Sequence, residues 1–156
     1  MVLNLVIAAV AAYLLGSIPP GIFWAWVMSK IDPRKHGSGR TGGTNVWRTA
    51  GFPAALLTAI SDALKGAAAI WVARALGLPV WAEALAGTLS VVGHNYSLFL
   101  NFRGGAGTAT SLGAAAALWP TSLLILILSG VAAGLLVGHA SVASITEAIK
   151  PFLSQP

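Results

Sequence analysis

Long apolar stretches separated by short polar ones dominate the pattern of this 156-residue chain. The first, residues 2–29, carries no charge and is long enough for a membrane-spanning helix, which needs about 20 residues. Further apolar stretches cover residues 51–73 and 80–102. Residues 108–118 and 121–137 flank a Trp-Pro pair, where we expect the chain to reverse. The pattern predicts a bundle of transmembrane helices.

One motif interrupts the first apolar stretch. It reads Gly-Ser-Ile-Pro-Pro-Gly and runs from Gly16 to Gly21. Proline has no backbone N–H and cannot continue the helical hydrogen-bond ladder. The motif therefore predicts a kink or an unwound turn, whose freed backbone groups must be satisfied by neighbouring helices.

The composition agrees with a membrane location. Hydrophobic residues make up 56% of the chain and charged residues 8%, whereas soluble domains carry about 25% charged residues. No positively charged segment precedes the first apolar run, so a signal peptide fits poorly. Cysteine is absent, which excludes disulfides and cysteine-based metal sites. We expect an all-α, polytopic integral membrane helix bundle, forming a single domain over residues 1–156.

The basic residues indicate how the bundle is oriented. Five of them lie in the first loop between apolar stretches: Lys30, Arg34, Lys35, Arg40 and Arg48. Loops rich in Lys and Arg stay in the cytoplasm, so we expect this loop to be cytoplasmic and the N-terminus to lie outside. Because the net charge of +5 reflects such loops rather than a basic soluble surface, we expect no nucleic-acid partner.

The first loop also has an unusual composition. Residues 36–49 read HGSGRTGGTNVWRT and combine glycines with hydroxyl groups and two arginines. Converging backbone N–H groups together with Arg side chains suit a phosphate or another small anion. The same composition also fits a flexible loop whose cations hold it against anionic headgroups. The residues alone leave both interpretations open.

A second glycine-rich loop, NFRGGAGT, covers residues 101–108 and leads into an apolar helix. A helix N-terminus of this kind can face an anion. The loop is not a nucleotide-binding Walker motif, because no Lys-Ser or Lys-Thr follows at the required spacing. A tight turn between two helices remains the alternative.

Three titratable residues lie inside or at the end of apolar segments. Asp62 and Lys65 are spaced i,i+3 and share a helix face, which favours a structural ion pair over a substrate contact. His94 could act as a general base, bind phosphate or donate a hydrogen bond at a helix end. No nucleophile motif and no metal-ligand cluster is present in the sequence, so an enzyme would work by positioning substrates and stabilising charge.

Several motifs, taken in order, resemble the bacterial acyl-phosphate:glycerol-3-phosphate acyltransferase family. They are Gly16-Ser-Ile-Pro19, Gly37-Ser-Gly39 through Thr44-Asn-Val46 to Arg48, Asp62 to Lys65-Gly66, Gly93-His94, and Phe102-Arg-Gly-Gly-Ala-Gly107; Ser141 and Ser144 resemble a later serine-containing segment. The resemblance covers essentially the whole chain. It implies a seven-helix enzyme of the bacterial inner membrane, multi-pass, with an outer N-terminus and a cytoplasmic active site.

The resemblance also implies the reaction. The family transfers a fatty acyl group from acyl phosphate to the 1-hydroxyl of glycerol 3-phosphate, giving lysophosphatidic acid for phospholipid synthesis. Its partners are the two substrates and membrane lipids, and it needs no metal or other cofactor. Because acyl phosphate is a reactive mixed anhydride, no covalent enzyme intermediate is required. The departing phosphate could itself accept the hydroxyl proton.

Individual roles follow for the matched positions. Catalytic roles are expected for His94, Ser38 and Arg48. The residues expected to hold substrate or phosphate are Ser38, Arg40, Asn45, Arg48, Arg103, Gly104, Gly105, Gly107 and Ser141. Asp62 and Lys65 are expected to form the structural ion pair.

Two departures from the family pattern keep an alternative open. Ala106 stands where the family usually has Lys, although Arg103 or Arg40 could restore the charge. About five to six of the seven spans are expected in this chain, with the C-terminal spans missing. The alternative is a catalytically degenerate relative that binds membrane anions or lipid, or that acts in transport.

Overall fold

The computed structural model describes residues 1–121 and, beyond them, residues 124, 125, 128, 131, 132 and 135. All regular structure in this part of the chain is helical, in agreement with the all-α prediction. The helices are α1 (Val2–Ser17), α2 (Pro20–Ser29), α3 (Gly43–Ala50), α4 (Phe52–Ala75), α5 (Val80–Asn95) and α6 (Thr108–Leu118), with short 3₁₀ turns at Pro33–Lys35 and Leu98–Leu100. Residues Met1–Pro120 form one compact unit. A second unit begins at Thr121, and its described residues are helical. The single domain over 1–156 stays a prediction.

The break expected in the first apolar stretch lies between α1 and α2. The carbonyl of Ile18 accepts a hydrogen bond from Lys65 Nζ at 2.8 Å. The carbonyl of Ser17 accepts one from the hydroxyl of Ser97. The last carbonyls of a helix have no acceptor role within it, so side chains from α4 and from the α5–α6 connection satisfy the broken backbone.

The longest described helix, α4, packs against each of the other five. Small residues allow this crowding: the buried cluster between α1, α4 and α5 contains alanines such as Ala8, Ala12 and Ala69. Where α4 meets α6, a Cβ on Gly66 or Gly113 would overlap a backbone carbonyl of the other helix. Glycine there lets the two backbones touch, as small residues do in membrane bundles.

Polar and apolar residues are distributed in the opposite way to a soluble protein. Large apolar side chains such as Val10, Trp26 and Leu64 are exposed, while Asp62 and Lys65 are buried. Such an exposed apolar surface suits lipid, and buried charges suit the interior of a membrane bundle. Two segments, Val2–Ser29 and Phe52–Ala75, are long and apolar enough to cross a membrane. The larger number of spans and the outer N-terminus stay predictions.

The third apolar stretch differs from its expected extent. Helix α5 ends at Asn95 rather than near residue 102, and the chain then turns through Leu98–Leu100. Asn101 and Phe102 have left-handed backbone angles, with φ of 50° and 60°. The following helix, α6, has the predicted bounds. The predicted span over 121–137 lies mostly outside the described residues.

A polar pair ties the other end of the helices together. Arg74 at the end of α4 forks onto Glu83 in α5, with Nη2 2.6 Å from Oε2. Arg74 Nη2 also donates to the carbonyl of Ala117 in α6 at 3.2 Å. This contact joins three helices at the end away from the two glycine-rich loops.

Candidate active site

The first glycine loop, residues 33–42, is closed by the side chain of Asn45 in the first turn of α3. Its Nδ2 donates to the carbonyls of Pro33 at 2.9 Å and Arg40 at 2.8 Å, and also to that of His36 at 3.2 Å. Its Oδ1 accepts the backbone N–H of Ser38 at 3.0 Å. Asn45 is only 3% exposed. Because the loop bonds both ends of the amide, Asn45 shapes the loop. Asn45 also lines the cavity described below, and its contact with substrate stays a prediction.

The second glycine loop, residues 101–107, ends helix α5. The N–H groups of Gly104 and Gly105 donate to the carbonyls of Asn95 and His94, at 3.0 and 3.1 Å. A Cβ at Gly104 would overlap the His94 carbonyl, and one at Gly105 would overlap the His94 ring. These two N–H groups are therefore engaged by the C-terminal carbonyls of α5. Gly104 and Gly105 still line a cavity, and their predicted role in phosphate binding stays a prediction.

A cavity of about 410 Å³ lies between the two loops. The N-termini of α3 and α6 both open on it, since residues at the starts of both helices, including Gly43 and Thr108, line it. The first amides of a helix have no intrahelical acceptor and carry partial positive charge. Ser38 and Arg40 line the same cavity. Two helix N-termini, a hydroxyl and a guanidinium therefore surround a space suited to a phosphate group.

The other wall of this cavity is apolar. Trp47 and Phe52 line it, with their rings in edge contact at 5.9 Å between centroids, and Leu56 and Leu112 continue the surface. Because one side favours an anion and the other favours hydrocarbon, we call this the amphipathic cavity. The polar and apolar walls together match a molecule with a charged head and an acyl tail.

A second cavity, of about 380 Å³, adjoins the first. We call it the polar cavity, since its lining includes Arg103, Asn95 and the backbone of the second glycine loop. Arg40 and Ala106 line both cavities. The geometry thus offers two neighbouring compartments that share one arginine.

Three buried titratable side chains meet at the base of the amphipathic cavity. Lys65 Nζ lies 2.8 Å from Asp62 Oδ1 and 2.8 Å from His94 Nδ1, and His94 Nδ1 lies 3.2 Å from Asp62 Oδ1. The exposed fractions are 2% for Asp62, 7% for Lys65 and 6% for His94. The expected Asp62–Lys65 ion pair is present, and it is in contact with the histidine. Asp62 and His94 also line the cavity.

Two of the predicted site residues stand apart from this group. Arg48 is exposed and is not among the residues that line either cavity. It follows the cavity-lining Thr44 by one helical turn, so the two lie on the same face of α3. Arg48 therefore stands near the cavity mouth, and its catalytic role stays a prediction. Ser141 lies outside the described residues.

The contact between Lys65 and His94 could not be found from the sequence. The i,i+3 spacing revealed the partner of Lys65 on its own helix. No local signal says which turn of α5 packs against that face of α4. The only available sign was a titratable residue in each of two apolar segments, which is costly unless the residues have partners.

The sequence is similar to that of known membrane enzymes. The family model described as glycerol-3-phosphate acyltransferase matches residues 6–154. A Dehalococcoides mccartyi protein named glycerol-3-phosphate acyltransferase 5 is 40% identical over 99% of this chain and 66% of its own length. A Thermus thermophilus glycerol-3-phosphate acyltransferase is 44% identical over 91% of this chain and 71% of its own length.

Solved structures agree with these relatives. The crystal structure of PlsY, an integral membrane glycerol 3-phosphate acyltransferase in its glycerol 3-phosphate form, matches with a TM-score of 0.75 and 36% identity. The match covers 84% of this chain and 66% of that one. The lysophosphatidic acid form matches with a TM-score of 0.70 and 37% identity, over 80% of this chain and 61% of that one. The chain thus spans roughly two thirds of the length of the proteins it matches.

Proposed function

The chain belongs to the glycerol-3-phosphate acyltransferase family, and we propose that it transfers a fatty acyl group from acyl phosphate to the 1-hydroxyl of glycerol 3-phosphate. The products are lysophosphatidic acid, a phospholipid precursor, and inorganic phosphate. The main support is the amphipathic cavity. It places two helix N-termini and Arg40 opposite an apolar wall, as a donor with a phosphate head and an acyl tail requires.

The two cavities suggest how the substrates are arranged. We place the acyl phosphate in the amphipathic cavity, with its tail against Trp47 and Leu112. Glycerol 3-phosphate, which has no apolar part, would occupy the polar cavity beside Arg103. Since Arg40 lines both cavities, the acyl carbon and the attacking hydroxyl would meet beside it. Holding two reactants in this way replaces a bimolecular encounter with an intramolecular one.

The chemistry then needs little from the protein beyond position and charge. The 1-hydroxyl oxygen forms a bond to the acyl carbon, and the bond from that carbon to the phosphate oxygen breaks. The departing phosphate takes the hydroxyl proton, so atoms and charge balance. Arg40 and the helix N-termini stabilise the negative charge that develops on the acyl oxygen and the phosphate.

We place the cavities at the cytoplasmic face of the bacterial inner membrane. The first loop carries most of the basic residues, as cytoplasmic loops do. Because the chain has no cysteine, single cysteines report topology cleanly. Lys35→Cys should react with an impermeant maleimide only from the cytoplasmic side, and Trp81→Cys, at the start of α5, only from the outer side. The reverse labelling would overturn this orientation.

The reaction is tested by phosphate release from palmitoyl phosphate, with and without glycerol 3-phosphate, using purified protein in lipid. We expect release that depends on glycerol 3-phosphate and no acyl transfer from palmitoyl coenzyme A. Arg40→Ala should lower kcat/KM by about 10- to 100-fold, since a hydrogen bond to a charged group contributes about 1.5–3 kcal/mol. Lys35→Ala, an exposed cation of the same loop that lines neither cavity, is the matched control and should leave kcat/KM unchanged.

Other outcomes separate the alternatives. Phosphate release by the Ala106→Lys variant but not by the native chain would identify the native chain as a catalytically degenerate member of the family. Equal losses in Arg40→Ala and Lys35→Ala would show that overall charge matters rather than a position in the cavity. No release from any variant would overturn the proposed reaction for this chain.

A further inference from the structure

In the buried group formed by Asp62, Lys65 and His94, the lysine contacts more partners than a simple ion pair has. A lysine ammonium has three N–H donors. Three polar atoms lie 2.8 Å from Lys65 Nζ. The Ile18 carbonyl accepts a hydrogen bond, Asp62 Oδ1 forms an ion pair, and the third atom is His94 Nδ1. Lys65 is therefore fixed by three separate elements: the α1–α2 break, its own helix and α5.

This arrangement favours one tautomer of His94, because two different partners compete for its Nδ1. An imidazole nitrogen has one in-plane position, which holds either a hydrogen or a lone pair. At Nδ1 the ammonium of Lys65, at 2.8 Å, is closer than the Asp62 carboxylate, at 3.2 Å. If Nδ1 carried a hydrogen, two donors would face each other at the shorter of these distances. With Nδ1 as acceptor, its proton lies on Nε2.

The Nε2 side of the ring packs against Gly105 in the second glycine loop. A Cβ on Gly105 would overlap Nε2, so the absence of a side chain there leaves room for the ring. Gly105 lines the polar cavity, and His94 lines the amphipathic one. The ring thus stands at the boundary between the two compartments.

We propose that Lys65 is a positioning residue that holds His94 as the Nε2–H tautomer, so that His94 acts as a hydrogen-bond donor and not as a general base. Asp62 balances the charge of Lys65. The consequence for catalysis rests on the proposed function: Nε2–H would donate to an oxygen of the phosphate or of the acyl group. A proton already on Nε2 cannot be replaced by one from the attacking hydroxyl.

The tautomer is measured by ¹⁵N NMR of histidine-labelled protein in lipid nanodiscs. The His94→Asn variant identifies the His94 signals among those of the three histidines of the chain. We expect a protonated Nε2 and an unprotonated Nδ1 in the native protein. A native spectrum with a protonated Nδ1, or with both nitrogens protonated, would overturn the proposal without the use of any variant.

Variants of Lys65 then test the cause. Lys65→Met keeps the length of the stem but has no donor, and it leaves the Asp62 carboxylate as the nearest partner of Nδ1. We expect the proton to move to Nδ1. We expect kcat to fall by about 10- to 100-fold, by analogy with the loss measured when the partner that orients a metal-bound histidine is removed. Lys65→Arg retains donors and charge and should restore the Nε2–H signal. An unchanged tautomer in Lys65→Met would show that Lys65 does not set it.

Arg74→Met provides the matched control. It also removes the cation from a buried carboxylate, that of Glu83, but at the opposite end of α4 and α5. It should destabilise the bundle without moving the His94 signals. Failure of the proposed reaction and failure of this inference are distinguishable, because the tautomer is read without substrate. An inactive protein with Nε2–H refutes only the reaction, and an active one with Nδ1–H refutes only the role of Lys65.

Discussion

The two glycine-rich loops have similar compositions but are held in different ways. The first is closed from inside by one amide side chain, that of Asn45, which binds three of the loop's carbonyls and one N–H. The second is closed from outside, because the N–H groups of Gly104 and Gly105 donate to the last carbonyls of α5. Glycine serves both conformation and space in these loops. Gly37 and Gly39 in the first loop and Gly107 in the second have positive φ, whereas Gly104 and Gly105 leave room beside His94.

The comparison indicates where we expect an anion to bind. In both loops, backbone N–H groups such as those of Ser38 and Gly105 donate within the protein. The first turns of α3 and α6 line the amphipathic cavity, together with adjoining loop residues such as Gly42 and Gly107. We therefore expect the N–H groups for an anion to come from these two helix starts.

The largest effect that separates the loops is expected for Gly104→Ala. The added Cβ would overlap the carbonyl oxygen of His94, and a backbone atom cannot rotate away as a side chain can. We expect the free energy of unfolding, measured in mixed micelles, to fall by about 3 kcal/mol or more. Activity should be lost with it, since the same movement displaces His94.

The control for that change is Gly43, directly after the first glycine loop. A Cβ at Gly43 would lie 3.5 Å from the Ala55 carbonyl, an ordinary contact. Gly43 is the first residue of α3, where Ala is a better helix former. Gly43→Ala should therefore change the free energy of unfolding by less than about 0.5 kcal/mol. Equal losses in both variants would mean that the overlap with the His94 carbonyl is not the cause of the loss in Gly104→Ala.

The next effect concerns the amides beside each loop. Asn45→Ala leaves the carbonyls of Pro33 and Arg40 without their donor, so we expect the free energy of unfolding to fall by about 2 kcal/mol. Asn45→Asp keeps the shape but turns an oxygen toward those carbonyls and should be at least as damaging. Asn95 is the matched amide of the second loop, and its Oδ1 has no hydrogen-bond partner among the described residues. Asn95→Ala should be close to neutral for stability, and a loss as large as that of Asn45→Ala would contradict this difference.

Much of this arrangement was predictable because it is local. The apolar stretches predicted α1, α4 and α6, and the two prolines predicted the break after Ser17. The i,i+3 spacing predicted the Asp62–Lys65 pair. Each of these signals lies within a few residues of the chain, where helix periodicity and proline chemistry operate.

The remainder depends on packing between distant segments. Helix α5 ends at Asn95 because glycines from the second loop donate to its carbonyls, and no apolar pattern contains that information. The same holds for the part that Asn45 plays in closing the first loop, since the family resemblance implied only a contact with substrate. A side chain with two donors and an acceptor serves a loop or a ligand equally well, and only the folded positions decide.

The smallest effect on stability is expected at the start of the first glycine loop, where Asp32 forms an ion pair with Arg34. Asp32 Oδ2 lies 2.8 Å from Arg34 Nη2, and Oδ1 accepts the Arg34 backbone N–H. The hydrogen bond from the Arg34 side chain holds the pKa of Asp32 below its usual value. A carboxyl with a lowered pKa stabilises the fold above the unfolded value near 4 and loses that contribution as the pH falls through the folded pKa.

Because the Arg34 side chain is 48% exposed and water and salt screen the pair, Asp32→Asn should lower the free energy of unfolding at pH 7 by less than about 1 kcal/mol. The gap between native protein and variant should narrow as the pH falls below about 4, through the lowered pKa, and it should also narrow in high salt. A gap that changes with neither acid nor salt would show that the carboxylate charge contributes nothing.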